Sequence, residues 1–440
     1  TFVEYQRRLQ ASGAMDFDDL LTVTVQLFDS HPQVLHHYQQ RFQHVLVDEY
    51  QDTNPAQNEI VLKLADEHRN VFVVGDSDQS VYAFRGADIR NILEFEKAFP
   101  DTSVVVLDQN YRSTQVILDA ANSVIANNFG RKPKDLWTDK SAGDKVVLYR
   151  ADDEVDESAW IIGELQRLHQ QGALRWSDVA IFYRANAQSR IIEERLAGAS
   201  LPYRVVGGTR FYDRREVKDA LAYLRAIVNP TDEVSLKRVL NVPKRGIGDS
   251  SLARLDQYAN SNAVPFNEAL NNWPEVGISG PAKKGLANFT ELIRQLSNRV
   301  SDGPAEILQL ALERSGYIEE LRDERSIEAE GRLENLAELI GSAEAYETCD
   351  EFLEQVSLVS TTDELDDQSE VTLMTLHTAK GLEFPLVFIV GMEDGIFPSF
   401  MSLGDPDQLE EERRLAYVGL SLIHISEPTR PRLISDAGLC

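Results

Sequence analysis

Residues 44–52 read His-Val-Leu-Val-Asp-Glu-Tyr-Gln-Asp, a short apolar run that ends in two adjacent carboxylates, Asp48 and Glu49. The β-branched run before them predicts a buried strand. An Asp at the end of such a strand can hold Mg²⁺ through its water shell, and a neighbouring Glu can take a proton from an attacking water. The pair therefore predicts the acidic half of a nucleoside-triphosphate site.

The sequence does not contain the phosphate-binding half of such a site, because no G-x-x-x-x-G-K-[ST] occurs in its 440 residues. In that motif, backbone N–H groups of a glycine-rich loop and the following Lys cradle the phosphates. The chain also begins at Thr1 rather than Met, inside a helix predicted from Phe2 to Leu9. We therefore expect a fragment.

Composition sets broad limits. A length of 440 residues predicts about three domains, and 42% apolar with 26% charged residues is typical of soluble globular protein. Apolar runs such as Leu386–Val390 have the length of a strand, so no membrane span is predicted. Cys349 and Cys440 lie too far apart for a disulfide framework or metal site, which favours a reducing cytoplasm. The net charge of −28 argues against coating of nucleic acid through bulk positive charge, although a local basic groove stays open.

Strands and helices alternate in two regions, which predicts parallel α/β sheets. The first region, Phe17 to Leu107, has predicted strands Val45–Val47, Val71–Gly75 and Ser103–Leu107. The second, from about Ser113 to Ala226, has predicted strands Val146–Tyr149, Val179–Tyr183 and Tyr203–Val206. Residues 227–368 have helical periodicity, with predicted caps at Ser250 and Ser326, and strands return at Val371–Thr375 and Leu386–Val390. The second sheet is therefore predicted to be split in sequence by a helical insertion.

The segment after the second predicted strand runs from Gly75 to Gly86 and contains Gln79, Tyr82, Phe84 and Arg85. A Gln at this position can orient a water or sense a γ-phosphate. The flat side chains of the other three offer surfaces on which bases could stack, at about 1–3 kcal/mol per base. The alternative is a polar loop with two core aromatic residues.

Two further segments carry candidate residues. In Leu107–Thr114, Arg112 could act as an arginine finger and Tyr111 could stack on a purine, although a helix cap with a surface Arg is the alternative. In Val371–Phe384, the residues His377, Lys380 and Gly381 form a loop that can meet a phosphate backbone, and Glu383 could accept a ribose hydroxyl. A structural histidine is the alternative for His377.

Together and in this order, these segments resemble superfamily 1 DNA helicases of the UvrD/PcrA/Rep group, over essentially all of residues 1–419. The matching motifs are II (Val47–Asn54), III (Val74–Ala87), IV (Leu107–Thr114), V (Val371–Pro398) and the approach to VI (Glu410–Gly419). Phe84 stands where close relatives often carry Trp, so its ring would offer a smaller surface for stacking. The likeness is nearest to the UvrD type.

The resemblance implies a role for each candidate. Asp48 would coordinate Mg²⁺, Glu49 would be the hydrolytic base, and Gln79 would couple the γ-phosphate to DNA. Arg112 would contact the γ-phosphate, Tyr111 would stack on adenine, and Gly381 and Glu383 would line the nucleotide site, the latter at the ribose. The residues implied to lie against DNA are Phe17, Tyr82, Phe84, Arg85, His377 and Lys380.

The resemblance also implies the fold: two RecA-like parallel-sheet motor domains, the first incomplete, with a helical 2B-type insertion in the second. The implied divisions are a 1B-like helical end (1–14), motor domain 1A (15–112), the first part of motor domain 2A (113–226), the 2B-like insertion (227–368) and the last part of 2A (369–419). Residues 420–440 depart from the family pattern, which has Leu/Val-Thr-Arg-Ala directly after Val418-Gly419. From Leu420 to Arg430 they match a transposase-type sequencing adapter read as protein, so we expect a non-native tail.

We therefore expect a fragment of an ATP-dependent 3′→5′ DNA helicase of DNA repair or replication, with ATP and Mg²⁺ as cofactors. Its expected partners are single-stranded DNA, duplex junctions and DNA-repair proteins, and no membrane. The fragment alone is expected to be inactive because it lacks the phosphate loop. Two alternatives remain open: the motor part of a helicase-nuclease subunit, and a non-catalytic DNA-binding scaffold.

Overall fold

The computed structural model describes residues 2–140, 142–172, 174–360, 370–421 and 432–435. The chain divides into two compact units, Thr1–Leu148 with Leu376–Cys440, and Tyr149–Thr375. The domain boundaries expected from the sequence stay predictions.

The first part of the chain alternates helices with short strands. Its elements are α1 (Phe2–Ala11), α2 (Phe17–Ser30), α3 (Pro32–Arg41), β1 (Val45–Val47), α4 (Pro55–Ala65), β2 (Val71–Val73), α5 (Arg90–Leu93), α6 (Phe95–Ala98), α7 (Gln115–Ile125) and β3 (Val146–Tyr149). Strands β1 and β2 pair in parallel, with Val45 opposite Val71. Their inner side chains pack against a small core that includes Tyr50, Ala65 and Phe95. This pairing brings the polar loops after β1 and β2 to the same sheet edge.

Helix α4 begins at a capping box. The Asn54 side chain accepts the N–H of Gln57, and the Gln57 side chain accepts the N–H of Asn54, both at 2.9 Å. Pro55 occupies the first turn, where a missing N–H costs nothing. This cap fixes where the chain leaves the carboxylate segment.

The predicted strand at Ser103–Leu107 is wrong, because residues 103–107 have no regular secondary structure. Val105 and Leu107 are exposed there. A β-branched run becomes a strand only when a partner strand takes up its backbone hydrogen bonds. None of the described strands pairs with this run, so propensity alone misled the prediction.

The second unit starts with an α/β segment and continues into a helical array. Its elements are α8 (Glu154–Gln170), β4 (Val179–Tyr183), α9 (Ser189–Gly198), β5 (Tyr203–Val205), α10 (Arg215–Val228), α11 (Glu233–Val239), α12 (Asp249–Asn262), α13 (Phe266–Asn271), α14 (Pro281–Ser297), α15 (Pro304–Arg314), α16 (Tyr317–Glu324), α17 (Ile327–Ala343), α18 (Cys349–Ser360) and β6 (Val371–Thr375). Strand β6 lies between β4 and β5 and is parallel to both, with Leu373 opposite Ile181 on one side and Val205 on the other. The predicted return of a strand to the second sheet after the helical stretch is confirmed.

The described part of the predicted insertion, residues 227–360, is helical and contains no strand. The Ser326 cap is confirmed, since its side chain accepts the N–H of Ala329 at the start of α17. The Ser250 cap is wrong: α12 begins at Asp249, and Gly248 occupies the cap position.

The remaining elements are α19 (Leu376–Ala379), β7 (Leu386–Ile389), α20 (Pro406–Ser421) and β8 (Arg432–Ser435). Strand β8 pairs in parallel with β7, Phe388 opposite Leu433. Most of the expected non-native tail, 420–440, lies outside the described residues, and that expectation stays a prediction. Within the described part of the chain, no helix has the length and apolar character needed to cross a membrane.

Candidate active site

The paired carboxylates lie where β1 ends, and both side chains are exposed. One Asp48 oxygen accepts the N–H of Glu49 at 2.9 Å. Glu49 itself has a left-handed backbone, with φ of 50°, and leads into the 3₁₀ turn Tyr50–Asp52. A non-glycine residue in this conformation costs of order 1 kcal/mol and is found preferentially at functional sites. The strand end therefore holds Glu49 in an unusual but defined position.

The loop after β2 carries Gln79 at the end of a 3₁₀ turn. The Gln79 Nε2 donates to a carboxylate oxygen of Asp76 at 3.0 Å, and the Asp76 side chain also accepts the N–H of Asp78 at 2.9 Å. Asp76 thus holds both the turn and the Gln79 carboxamide.

Lys380 lies against both loops. Its ammonium donates to Asp52 at 2.5 Å and to the main-chain oxygen of Gln79 at 2.8 Å, and it lies 3.5 Å from Glu49 Oε2. Only 7% of its side chain is exposed. Burial raises the pKa of Asp52, and Lys380 partly offsets that rise. The lysine therefore neutralises part of the acidic cluster while lying 5.3 Å from the ring centre of Tyr82.

Aromatic and basic side chains form a second cluster beside Lys380. The Arg85 guanidinium lies 5.4 Å from the ring centres of both Tyr82 and Phe84. The Phe84 ring meets His377 edge-on at 5.2 Å, and the Tyr82 hydroxyl donates to the His377 main-chain oxygen at 3.1 Å. This cluster offers a partly exposed aromatic surface with a cation, which suits base stacking.

Arg112 and Glu383, predicted separately from two motifs, are joined by an ion pair of 3.1 Å. The Asn110 side chain accepts the N–H groups of Arg112 and Ser113, both at 2.8 Å, and so fixes the turn before α7. Tyr111 is exposed, and its hydroxyl donates to Gln109. Gly381, with φ of 86°, supplies the left-handed turn between Lys380 and Glu383.

A buried charge network holds the Gln79 loop through the carboxylates of Asp76 and Asp78. Arg131 donates to Asp78 at 2.8 Å, and Lys134 binds Asp76 and also lies 3.3 Å from Asp78. Asp78 is almost fully buried. Tyr417 of α20 packs beside Lys134, and burial raises the pKa of its hydroxyl.

Most of the predicted site residues lie in the groups around Lys380, around Arg85 or around the Arg112–Glu383 pair. Phe17 does not. Phe17 begins α2, a helix that packs against α3 and α4, and its side chain is 89% exposed. In the described residues it takes part in none of these groups.

Asp48 is the candidate ligand for a magnesium ion. Among the described residues no group of three or more His, Cys, Asp or Glu side chains is arranged to hold a metal by itself. Mg²⁺ usually keeps several waters and takes one or two carboxylates together with substrate phosphates. The exposed Asp48 carboxylate fits that pattern.

Sequence reasoning missed the residues that hold the site together: Gln51, Asp52, Asp76, Asp78, Arg131 and Lys134. Gln51 and Asp52 follow the paired carboxylates within three residues, so their proximity in sequence was a usable signal. The basic segment from Arg131 to Lys134 gave no signal of its own, because charged surface residues are common.

Two family models match the chain. The model of the UvrD/REP helicase N-terminal domain matches residues 1–100, and that of the UvrD-like helicase C-terminal domain matches residues 105–421. The second match alone covers most of the chain.

Named relatives are similar over nearly the whole chain. The ATP-dependent DNA helicase PcrA of Bacillus subtilis is 48% identical over 434 residues, which are 96% of this chain and 59% of that protein. UvrD1 of Mycobacterium tuberculosis, also named an ATP-dependent DNA helicase, is 48% identical over 95% of this chain and 58% of its own length. PcrA of Staphylococcus aureus is 46% identical over 95% of this chain. The chain spans about three-fifths of the length of these relatives. It belongs to the UvrD-like helicase family.

Proposed function

We propose that the protein is the motor part of an ATP-dependent DNA helicase that moves 3′→5′ along single-stranded DNA and unwinds duplex junctions in repair or replication. The observation that carries the proposal is the position of Lys380. It contacts the carboxylate segment and the Gln79 loop on one side and the Tyr82 ring on the other. Lys380 thus connects the residues proposed to act on the nucleotide with those proposed to stack on bases. The names of the relatives support ATP and DNA as ligands, and family resemblance supports the polarity.

At the nucleotide side, Asp48 would hold a hydrated Mg²⁺, and Glu49 would accept the proton of the attacking water. Bound Mg²⁺ supplies neutralisation of the charge that develops on the phosphates. Arg112 exchanges its Glu383 partner for the γ-phosphate, which frees Glu383 for the ribose beside Gly381. Tyr111, already exposed, stacks on adenine.

At the DNA side, Tyr82, Phe84 and Arg85 stack on bases, with His377 and Lys380 beside them. Phe17 is a further proposed contact. Gln79 lies between the two sides and couples them. The 1A, 2A and 2B-like divisions at residues 15–112, 113–226 with 369–419, and 227–368 are part of this proposal. So are a cytoplasmic location and DNA-repair proteins as partners.

The test uses the full-length product of the gene that encodes this chain. We expect ATP hydrolysis that is stimulated by single-stranded DNA and lost in Glu49→Gln, because the substituted amide cannot accept a proton. Duplexes with a 3′ tail should be unwound and those with a 5′ tail should not. Undiminished hydrolysis in Glu49→Gln would contradict the assignment of the base.

Residues 1–440 alone lack the phosphate-loop motif, so we expect no DNA-stimulated hydrolysis from them. Measurable turnover by this chain would contradict that part of the proposal.

A further inference from the structure

Gln51 follows Glu49 by two residues in the loop after β1, faces the loop that carries Gln79, and is fully buried. Its Nε2 donates to the Glu49 carboxylate at 2.6 Å, and its Oε1 accepts the N–H of Asp76 at 3.0 Å. Its main-chain oxygen accepts the hydroxyl of Ser80 at 3.2 Å. The side chain therefore binds Glu49 of its own loop through Nε2 and the Gln79 loop through Oε1.

The chemistry of these contacts selects a primary amide. The Glu49 carboxylate can only accept, and the Asp76 N–H can only donate, so the bridging side chain must offer one donor and one acceptor. The same requirement fixes the orientation of the amide. A side chain of equal length without the amide would leave the partly buried Asp76 N–H and the Glu49 carboxylate without this partner.

The end of β2 is shaped to admit this contact. A Cβ at Gly75 would lie 2.4 Å from Gln51 Oε1 and 2.8 Å from Ile92, which is closer than real Cβ atoms approach other atoms. Glycine is thus required for the Gln51 side chain to reach Asp76. The hydrogen bonds then continue, since the Asp76 carboxylate accepts from the Gln79 carboxamide at 3.0 Å.

We propose that Gln51 is a positioning residue that ties the Glu49 carboxylate to the Gln79 loop, so that displacement of that loop changes the placement of Glu49. The inference rests on the proposed function, because it assigns Glu49 and Gln79 to hydrolysis and γ-phosphate sensing. Gln51 touches neither nucleotide nor DNA in this scheme and acts through its two neighbours.

The test compares Gln51→Met with Gln39→Met. Gln39 is a second buried glutamine, on α3, whose Nε2 donates only to the Lys63 main-chain oxygen among the described contacts. In the 440-residue chain, hydrogen–deuterium exchange of the peptide that carries Asp76 should accelerate in Gln51→Met and stay unchanged in Gln39→Met. In the full-length product, kcat of DNA-stimulated ATP hydrolysis should fall roughly 10-fold to 100-fold in Gln51→Met, with KM for ATP within about twofold.

If Gln51 had a purely structural role, Gln51→Met would lower the melting temperature but would not lower kcat selectively while leaving KM for ATP unchanged. The inference is overturned if a folded Gln51→Met keeps its kcat, or if exchange at Asp76 does not change. Should Gln51→Met fail to fold, Gln51→Asn retains an amide that is one methylene too short to reach both partners, and the same readouts apply. If the wild-type full-length product hydrolyses no ATP, the proposed function fails, while the exchange measurement still decides whether Gln51 holds the loop.

Discussion

The ammonium of Lys380 lies 2.5 Å from a carboxylate oxygen of Asp52, although 328 residues separate the two in sequence. The other Asp52 oxygen is buried and has no hydrogen-bond partner among the described residues. Lys380 is thus the principal compensation for a buried negative charge next to the proposed base.

Lys380→Met should destabilise the chain by about 3 kcal/mol at pH 7, because it leaves the Asp52 carboxylate buried without a cation. Burial already raises the pKa of Asp52, and loss of the offsetting lysine raises it further. The pKa of Asp52 in the folded variant then lies above its pKa in the unfolded chain. The variant therefore keeps its stability at pH values below the usual Asp pKa and loses it as the pH rises through the raised pKa. Urea unfolding from pH about 4 to 7 should therefore show a deficit that grows with pH. Lys97→Met removes an exposed lysine and is the control; an equal, pH-independent loss in both variants would contradict the prediction.

Arg131→Met should cost about 3–5 kcal/mol of unfolding free energy. Asp78 is almost fully buried and, among the described residues, would retain only Lys134, at 3.3 Å, as a cationic partner. Lys132→Met removes a neighbouring lysine whose pair with Glu96 is exposed, so it should cost less than about 1 kcal/mol. Denaturant titration of both variants measures the difference, and similar values for the two would refute the buried-network account.

Phe84→Ala should weaken single-stranded DNA binding by about 1–3 kcal/mol if a base stacks on that ring. Phe42→Ala is a matched control, because both rings are 43% exposed and each has an arginine nearby, at 5.4 Å for Phe84 and 5.8 Å for Phe42. Fluorescence anisotropy with a labelled oligonucleotide compares them at fixed salt. Equal affinities for the two variants would remove Phe84 from the proposed DNA surface.

Gly75→Ala should reproduce the kinetic effect of Gln51→Met without changing any polar group. The new methyl group would displace Gln51 Oε1 from the Asp76 N–H and cost about 1–3 kcal/mol through overpacking. Gly163→Ala is the control, since a Cβ there meets open space on helix α8. Normal kcat in a folded Gly75→Ala protein would show that the close approach is dispensable.

Asn54→Ala should lower stability by about 1 kcal/mol, because it removes the side-chain acceptor at the start of α4. Thermal unfolding followed by circular dichroism measures this loss. If Asn54→Ala lowered stability less than an Ala substitution at an exposed residue that caps no helix, the result would argue against the capping box.

Local sequence patterns predicted the strands where packing agreed with propensity. Val45–Val47, Val179–Tyr183 and Val371–Thr375 were predicted with their correct bounds, since each is an apolar run that finds a parallel partner. Ser103–Leu107 had the same composition but no partner among the described strands. A partner strand is a property of the fold, so the local pattern could not distinguish these cases.

The candidate site was predictable one motif at a time but not in its connections. The residue types at Asp48, Glu49 and Gln79 follow from the chemistry that such loops perform. The pairing of Lys380 with Asp52, and of Arg131 with Asp78, could not be found from spacing. Charged residues distant in sequence are expected to be solvated unless the fold buries them together.

The position of β6 constrains the order in which the polypeptide can assemble during synthesis. This strand separates β4 from β5, and its Thr372 contacts Arg204, from which it is 168 positions away in sequence. The sheet of the second unit therefore cannot close until the ribosome has delivered β6. Helices α10–α18 all precede β6 in the chain and pack against one another, so they can form before β6 is delivered. Nascent chains stalled before residue 371 should accordingly carry a formed helical array beside unpaired strands, the species on which a chaperone would act.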